Sequence, residues 1–226
     1  MALPFDLLGR LARASDRLLY RHPFEGRSAR RYAASERPAF ADLDDRLLDG
    51  MALPNGAVLL DLGCGPAGFA RRAKERDQSL VVLALDPSRD FAADSSSDAT
   101  TAARGAIRLV RAAGEMLPLR DQSVDVAMCL SSIRHVRDRA ATLRELRRVV
   151  RDRVVIVELD PVASPGRIAS HADLLGSALL RAAFGPLVVR TAPQAETIVQ
   201  LARDAGFTRV ERRDDPLQPV YILDLR

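Results

Sequence analysis

Gly63, Gly65 and Gly68 fall in the spacing G-x-G-x-x-G within VLLDLGCGPAGFA, Val58 to Ala70. Glycines so placed after an apolar run let the backbone turn tightly and approach a ligand closely. That spacing often serves dinucleotides, whose pyrophosphate seats on the loop. Here Asp61 stands two residues before the first glycine. A carboxylate there repels a pyrophosphate and favours a cation. Two unit charges about 4 Å apart interact by several kcal/mol at an effective dielectric of ~20, before desolvation. S-Adenosylmethionine carries no phosphate, and its methionine end bears an ammonium and a sulfonium. Asp61 therefore points to S-adenosylmethionine rather than NAD.

A second acid is consistent with a nucleoside ligand. Asp86 closes LALDPS eighteen residues after Gly68, where a carboxylate accepts both ribose hydroxyls. The competing role for Asp86 is a helix N-cap. Cys64 lies inside the loop and Cys129 ends an apolar run; neither has a CxxC partner or a histidine at ligand spacing. Both thiols read as small apolar fillers, and no metal site is expected.

The elements that hold these residues follow from periodicity. AVLLDL, LVVLALD, IRLVRAA, VDVAMCL and RVVIVEL are short apolar runs that read as strands. PAGFARRAKERD, a short stretch near Arg89 to Ala93, and RAATLRELRRVV separate them as helices, the first starting near Pro66. Strand and helix alternating at this length predict a parallel sheet covered on both faces. APQAETIVQLARDAGF is a further helix stopped by Gly206, and TRVERRDD and PVYILDL are two strands joined by a short turn. A turn so short requires that pair to be antiparallel. The expected fold is α/β: a Rossmann-like seven-stranded sheet, six parallel and one antiparallel, with helices on both faces and a helical N-terminal cap.

Residues 1–50 form that cap within the same domain, in two or three amphipathic helices. One carries Leu7, Leu8, Leu11, Leu18 and Leu19, and another carries Phe40, Leu43, Leu47 and Leu48. Residues 51–226 form the core, with a helical insert at 161–185 over the carboxyl edge of the sheet. Asp94 to Gly105, DSSSDATTAARG, reads as a mobile polar loop.

The 226 residues are 47% hydrophobic and 28% charged, the balance of an ordinary globular protein. A formal net charge of only +4, with arginines alternating with acids, argues against a nucleic-acid surface. No run approaches the roughly 18 apolar residues of a membrane span, and the N-terminus lacks a basic start before a sustained apolar run. A cytoplasmic location is expected, with no membrane partner.

With these motifs in place the sequence resembles the class I S-adenosylmethionine-dependent methyltransferases, in the broad group containing the ubiquinone/menaquinone C-methyltransferases. The resemblance rests on VLLDLGCGPAGFA, LALDPS, GEMLPLRDQSVDVAMCLSSIRHVRD and LRELRRVV, and covers roughly Val58 to Leu159. It implies that Asp61, Gly63, Cys64 and Gly65 cradle the methionine end, with Gly68 allowing close packing. It implies that Asp86 binds the ribose and that Pro87 and Ser88 pass beside the adenine. Relatives often hold an acid two residues before Glu115 for the adenine amino group; Ala113 stands there, so the contact is missing or is supplied by Gly114 or Glu115. Leu130 and Ser131 are implied to line the methyl-transfer channel. Relatives usually carry Lys-Pro-Gly-Gly before the fifth strand, where this chain has the shorter VVRDRVV.

Methyl transfer needs alignment and, for a protic acceptor, a base. His135 is one candidate base, against a role in orienting the strand–helix turn. Glu158, and beside it Asp160, are candidates for base or substrate anchor, against helix capping or solvent exposure. Arg134 meets an acidic substrate or is merely exposed. Tyr32 is the preferred lid contact, with Tyr20, His22 and His171 as weaker candidates. The expected activity is transfer of a methyl group to a small-molecule acceptor, releasing S-adenosylhomocysteine. Two alternatives are a regulatory or assembly protein that binds the cofactor without transfer, and a nicotinamide oxidoreductase whose NAD binding survives Asp61→Ala.

Overall fold

Short β-branched runs build the centre of the molecule. In the computed structural model, which describes residues 25–26, 29–30, 32–94, 107–176 and 178–226, seven strands form one sheet. They are β1 Val58–Leu62, β2 Val81–Asp86, β3 Arg108–Arg111, β4 Val124–Leu130, β5 Val150–Leu159, β6 Val210–Asp214 and β7 Val220–Leu225. Their order is β3-β2-β1-β4-β5-β7-β6. β7 runs antiparallel to both β5 and β6, and the β1–β5 pairings are parallel. Six strands thus share one direction and one opposes them, as the sequence predicts.

The helices are α1 Ala41–Asp49, α2 Gly68–Arg76, α3 Arg89–Asp94, α4 Arg139–Val149, α5 Pro165–Asp173, α6 Ala178–Ala183 and α7 Ala195–Asp204. α4 buries Thr142, Leu143, Leu146 and Val149, and α7 buries Ala195, Ile198 and Ala202. These are the i, i+3, i+4 and i+7 positions of one helical face. They cover the sheet face that carries Leu60, Val154 and Ile156. The opposite face, with Leu59, Val155 and Val157, packs against α1 and α2.

Phe40, Leu43 and Leu47 are buried as the amphipathic pattern requires. A π-helical turn, Tyr32–Glu36, and a 3₁₀ turn, Arg37–Phe40, lead into α1. The expected helix over Leu7 to Leu19, the candidates Tyr20 and His22, and all but Asp94 of the expected loop over 94–105 lie outside the described residues. The expected insert is helical, with α5 and α6 followed by a π-helical segment, Phe184–Val189.

Two boundaries differ from expectation. α2 begins at Gly68 rather than near Pro66, because Ala67 takes the left-handed conformation, φ +55°, and the chain is still turning there. β5 begins at Val150, directly after α4, so VVRDRVV contributes no separate turn. The register then shifts: Val124 pairs with Val150, whereas Val126 pairs with Arg153.

In an open sheet of this kind ligands bind beyond the carboxyl ends of the strands where the order reverses. That point lies between β1 and β4.

Candidate functional site

At the end of β1 the chain reverses through Gly63, φ +70°, and Gly65, φ +52°. Gly63 is required twice over. Its φ is left-handed, and a Cβ there would lie 2.4 Å from Ser132 Cβ. At Gly65 the nearest atom to a Cβ is Tyr32 Cε1 at 3.5 Å, so backbone conformation alone demands glycine. The loop amides are already used within the protein. Gly63 and Cys64 N–H donate to Leu85 O at 2.7 and 3.1 Å, and Ala67 N–H donates to Cys64 O at 2.9 Å. Gly65 N–H donates to Asp86 Oδ2 at 2.9 Å.

Above this loop lies a cavity of about 460 Å³, within the ~300–1,000 Å³ usual for small-ligand sites. Gly63, Gly65, Asp86 and Pro87 line it from the ends of β1 and β2. Gly114 and Glu115 line it from the turn after β3, and Leu130, Ser131 and His135 from the turn after β4. Tyr32 closes one side, its ring 6.5 Å from that of Phe91. Sequence reasoning about these ten residues therefore converges on one place.

Asp86 sits at the cavity wall with each oxygen partly engaged. Oδ1 accepts the Ser88 N–H at 2.8 Å and Oδ2 the Gly65 N–H. Burial raises its pKa, and these two backbone bonds oppose the shift. A carboxylate oxygen accepts two hydrogen bonds, so capacity is left on both oxygens for a vicinal diol.

Asp61 is buried beneath the loop and does not line the main cavity. It borders a recess of about 10 Å³ with Gly63, Cys64, Phe69 and Leu130. Cys64 also lies at this recess, so only the backbone around it reaches the main site. Burial raises the Cys64 pKa well above its ordinary value, and the charges of Asp61 and Asp86 raise it further. Burial, then Asp61, push the Cys129 thiol up to about 12. Both thiols stay protonated, and the loop lies in a negative field.

Three further candidates do not reach the cavity. Glu158 is fully buried, its Oε1 accepting the Leu159 N–H at 2.9 Å and its Oε2 the Arg134 N–H at 3.2 Å. Strand alternation puts Leu159 on the cavity wall and turns Glu158 to the other face, with Val154 and Ile156. The base or anchor role is therefore withdrawn for Glu158, whose carboxylate fixes the turn after β4. We expect Glu158→Ala, which strands two backbone donors, to lower stability by about 2–5 kcal/mol while cofactor affinity stays within about twofold. Urea unfolding and ligand titration of the variant check this. Intact stability with lost affinity would return the carboxylate to the site.

Asp160 is also buried, accepting the Val162 N–H at 3.1 Å and facing Arg212 Nη2 at 3.3 Å. His171 lies behind the wall between Phe40 and Phe184, with ring centroids at 4.7 and 4.6 Å, and its Nδ1 meets Gln218 Oε1. Burial holds the His171 pKa below its ordinary 6.5. The unfolded chain therefore takes up this proton first, and stability present above 6.5 falls as pH drops through the folded-state value. Denaturant midpoints at about pH 7.5 and about pH 5.5 should differ less in His171→Gln than in the parent.

Arg134 is buried rather than exposed. Its Nη1 donates to Val188 O and its Nη2 to Thr191 Oγ1, both at 3.0 Å. Sequence reasoning missed the wall residues Leu175, Leu180, Phe184 and Val188, because apolar residues at helical spacing look the same in a core and in a cavity lining.

The motif residues outside the loop act as clamps. Glu145 Oε2 accepts the Leu117 N–H at 2.8 Å, and Arg148 donates to Leu117 O, Leu119 O, Asp121 and Glu145. LPLRDQS is thereby tied to α4, which positions the turn bearing Gly114 and Glu115. Glu115 Oε1 itself accepts the N–H groups of Arg137 and Asp138 at 2.7 and 3.0 Å.

Residues 60–157 match a family model described as a methyltransferase domain. The match runs from within β1 to near the end of β5. Over 98 residues it is 36% identical to an uncharacterized methyltransferase of Mycobacterium sp. strain JLS, covering 43% of this chain and 36% of that protein. Over 139 residues it is 31% identical to a dimethylglycine N-methyltransferase of Parasynechococcus marenigrum, covering 59% of this chain and 46% of that protein. The chain thus spans less than half the length of these curated relatives. The fold is similar to that of a SAM-dependent methyltransferase from Aquifex aeolicus, with TM-score 0.64 and 16% identity over 83% of this chain and 92% of that one. Among the described residues, no His/Cys/Asp/Glu group could hold a metal ion, and no helix is long and apolar enough to cross a membrane.

Proposed function

We propose that this protein transfers a methyl group from S-adenosylmethionine to a small-molecule acceptor and releases S-adenosylhomocysteine. The observation that carries the cofactor is the committed loop: the Gly63, Cys64, Gly65 and Ala67 amides all donate within the protein. A pyrophosphate seats on free amides and a favourable field, and here Asp61 and Asp86 make the field negative. The same field suits an ammonium and a sulfonium. The cavity's Asp86 carboxylate suits a ribose diol, and Pro87, Phe91 and Ala113 give flat or small apolar surface for a base.

When bound, the cofactor supplies an electrophilic methyl group on a sulfur that leaves as a neutral thioether. Asp86 holds the ribose hydroxyls, while Gly63 and Gly65 let the backbone come close. Asp61 acts through charge, from beneath the loop, rather than by contact. Glu115 keeps the wall in place through Arg137 and Asp138. His135 takes the proton of a protic acceptor, Ser131 orients that acceptor, and Tyr32 shields the site from water. The run GEMLPLRDQSVDVAMCLSSIRHVRD supports kinship with the group containing the ubiquinone/menaquinone C-methyltransferases. A cytoplasmic location and an acceptor other than nucleic acid complete the reading, as the modest net charge of +4 supports.

Calorimetric titration with S-adenosylhomocysteine and with NAD tests it. We expect a Kd on the order of micromolar for the first, weakened in Asp61→Ala, and no heat for NAD. Binding of NAD that survives Asp61→Ala would overturn the reading.

A further inference from the structure

The cavity has two chemically different ends. Toward β1, β2 and β3 its wall offers carboxylates and backbone. Beyond Ser131 it is built from Phe40, Leu159, Leu175, Leu180, Phe184 and Val188. None of these six side chains has a hydrogen-bonding group, and Phe40, Leu159, Leu175 and Phe184 are buried. An occupant of this end gives up water and gains only apolar contact.

The guanidinium at this end is already engaged. Arg134 donates to Val188 O and Thr191 Oγ1, and the buried Glu158 carboxylate lies against its backbone N–H. An anionic acceptor would have to compete with these contacts for a guanidinium that is buried and held in place, and a buried unpaired charge is strongly disfavoured. Arg139 is turned away, donating to Ile133 O and Arg134 O at 3.1 Å. Arg111 and Arg137 line the other end, where Arg111 Nε bonds Pro87 O and the Arg137 amide bonds Glu115. Besides Arg134, and Ser132 whose Oγ donates to Leu62 O, the cavity wall carries the His135 imidazole and Ser131 Oγ, and the latter is buried without a hydrogen-bond partner among the described residues. Ser131 is held there by a left-handed backbone, φ +49°, and by its N–H bond to Val157 O at 2.7 Å.

We infer that the acceptor is an uncharged, mainly apolar molecule that presents one hydroxyl to Ser131 and His135. This rests on the cofactor occupying the Asp86 end.

The test uses a matched pair of probes, 1-naphthol and 1-naphthoate, which share a ring system and differ in hydroxyl against carboxylate. Each is titrated into protein saturated with S-adenosylhomocysteine. 1-Naphthol should bind at least about tenfold more tightly than 1-naphthoate. Leu180→Glu should weaken 1-naphthol at least about tenfold while leaving the S-adenosylhomocysteine Kd within about twofold, which also shows that the variant is folded. Ser131→Ala should reduce the preference for 1-naphthol over naphthalene. Equal or tighter binding of 1-naphthoate, or binding of neither probe, overturns the inference. Failure of S-adenosylhomocysteine to bind overturns the cofactor reading instead, and the naphthol preference measured without it still judges the apolar end.

Discussion

Replacing Gly63 by alanine should lower the unfolding free energy by about 2–5 kcal/mol and abolish measurable cofactor binding. Two costs combine. A left-handed φ of +70° strains any residue with a Cβ, and the new Cβ would sit 2.4 Å from Ser132 Cβ. Ser132 cannot easily yield, because its Oγ donates to Leu62 O at 2.7 Å. Relief must come from moving the loop, which breaks the paired bonds of Gly63 and Cys64 to Leu85 O. Gly206→Ala is the matched control. Gly206 is also left-handed, φ +96°, but its added Cβ meets nothing within 4 Å. It should cost only about 1–2 kcal/mol and leave binding intact. Thermal unfolding and S-adenosylhomocysteine titration of both variants decide whether the close approach, and not strain alone, sets the effect.

Asp86→Ala should weaken S-adenosylhomocysteine binding by at least about 100-fold. Hydrogen bonds to a charged group contribute about 1.5–3 kcal/mol each, two ribose hydroxyls are lost together, and 1.4 kcal/mol is tenfold. The variant also removes the acceptor of the Gly65 N–H, so the loop loosens where the ligand must lie. Asp86→Asn keeps one acceptor oxygen and should fall between the two. The pH dependence carries a sign that separates binding from folding. Burial raises the Asp86 pKa, and the ribose needs the ionised form, so affinity falls as pH drops through that raised value. The folded protein, in contrast, favours the protonated acid. Its contribution to stability is present at low pH and lost as pH rises through the folded-state pKa. Affinity and stability measured across the acid range should therefore move in opposite directions for this residue, and Asp86→Asn should flatten both.

The strand runs from Val58 to Leu159 were legible because hydrophobic periodicity is local: VDVAMCL gives Val124–Leu130 without an offset. The antiparallel end of the sheet was legible because a short turn excludes a crossover. The start of α2 was not, since the left-handed turn at Ala67 comes from the loop's packing and not from an alanine's preference. Glu158 was misplaced for a different reason. Its type suits a base, but the alternation that turns it away from the cavity and brings Leu159 in depends on which face of β5 meets the site. Arg134 shows the same limit: its partners, Val188 and Thr191, lie 54 and 57 residues away. The glycine loop and Asp86 were legible because their chemistry and their fold constraint coincide. The apolar wall was not, because Phe40 and Phe184 obey the same rule in a core as in a pocket.

An enzyme differs from a cofactor-binding protein here in whether the bound methyl group is passed on. The most direct test is incubation of the protein with S-adenosylmethionine labelled in the methyl group and a small-molecule extract, followed by partition into organic solvent. Label should appear in the organic phase, formed together with S-adenosylhomocysteine and lost in Asp86→Ala. Tight binding of S-adenosylmethionine with no label transferred, across neutral and charged fractions alike, would contradict this and leave a protein that binds the cofactor without transferring its methyl group.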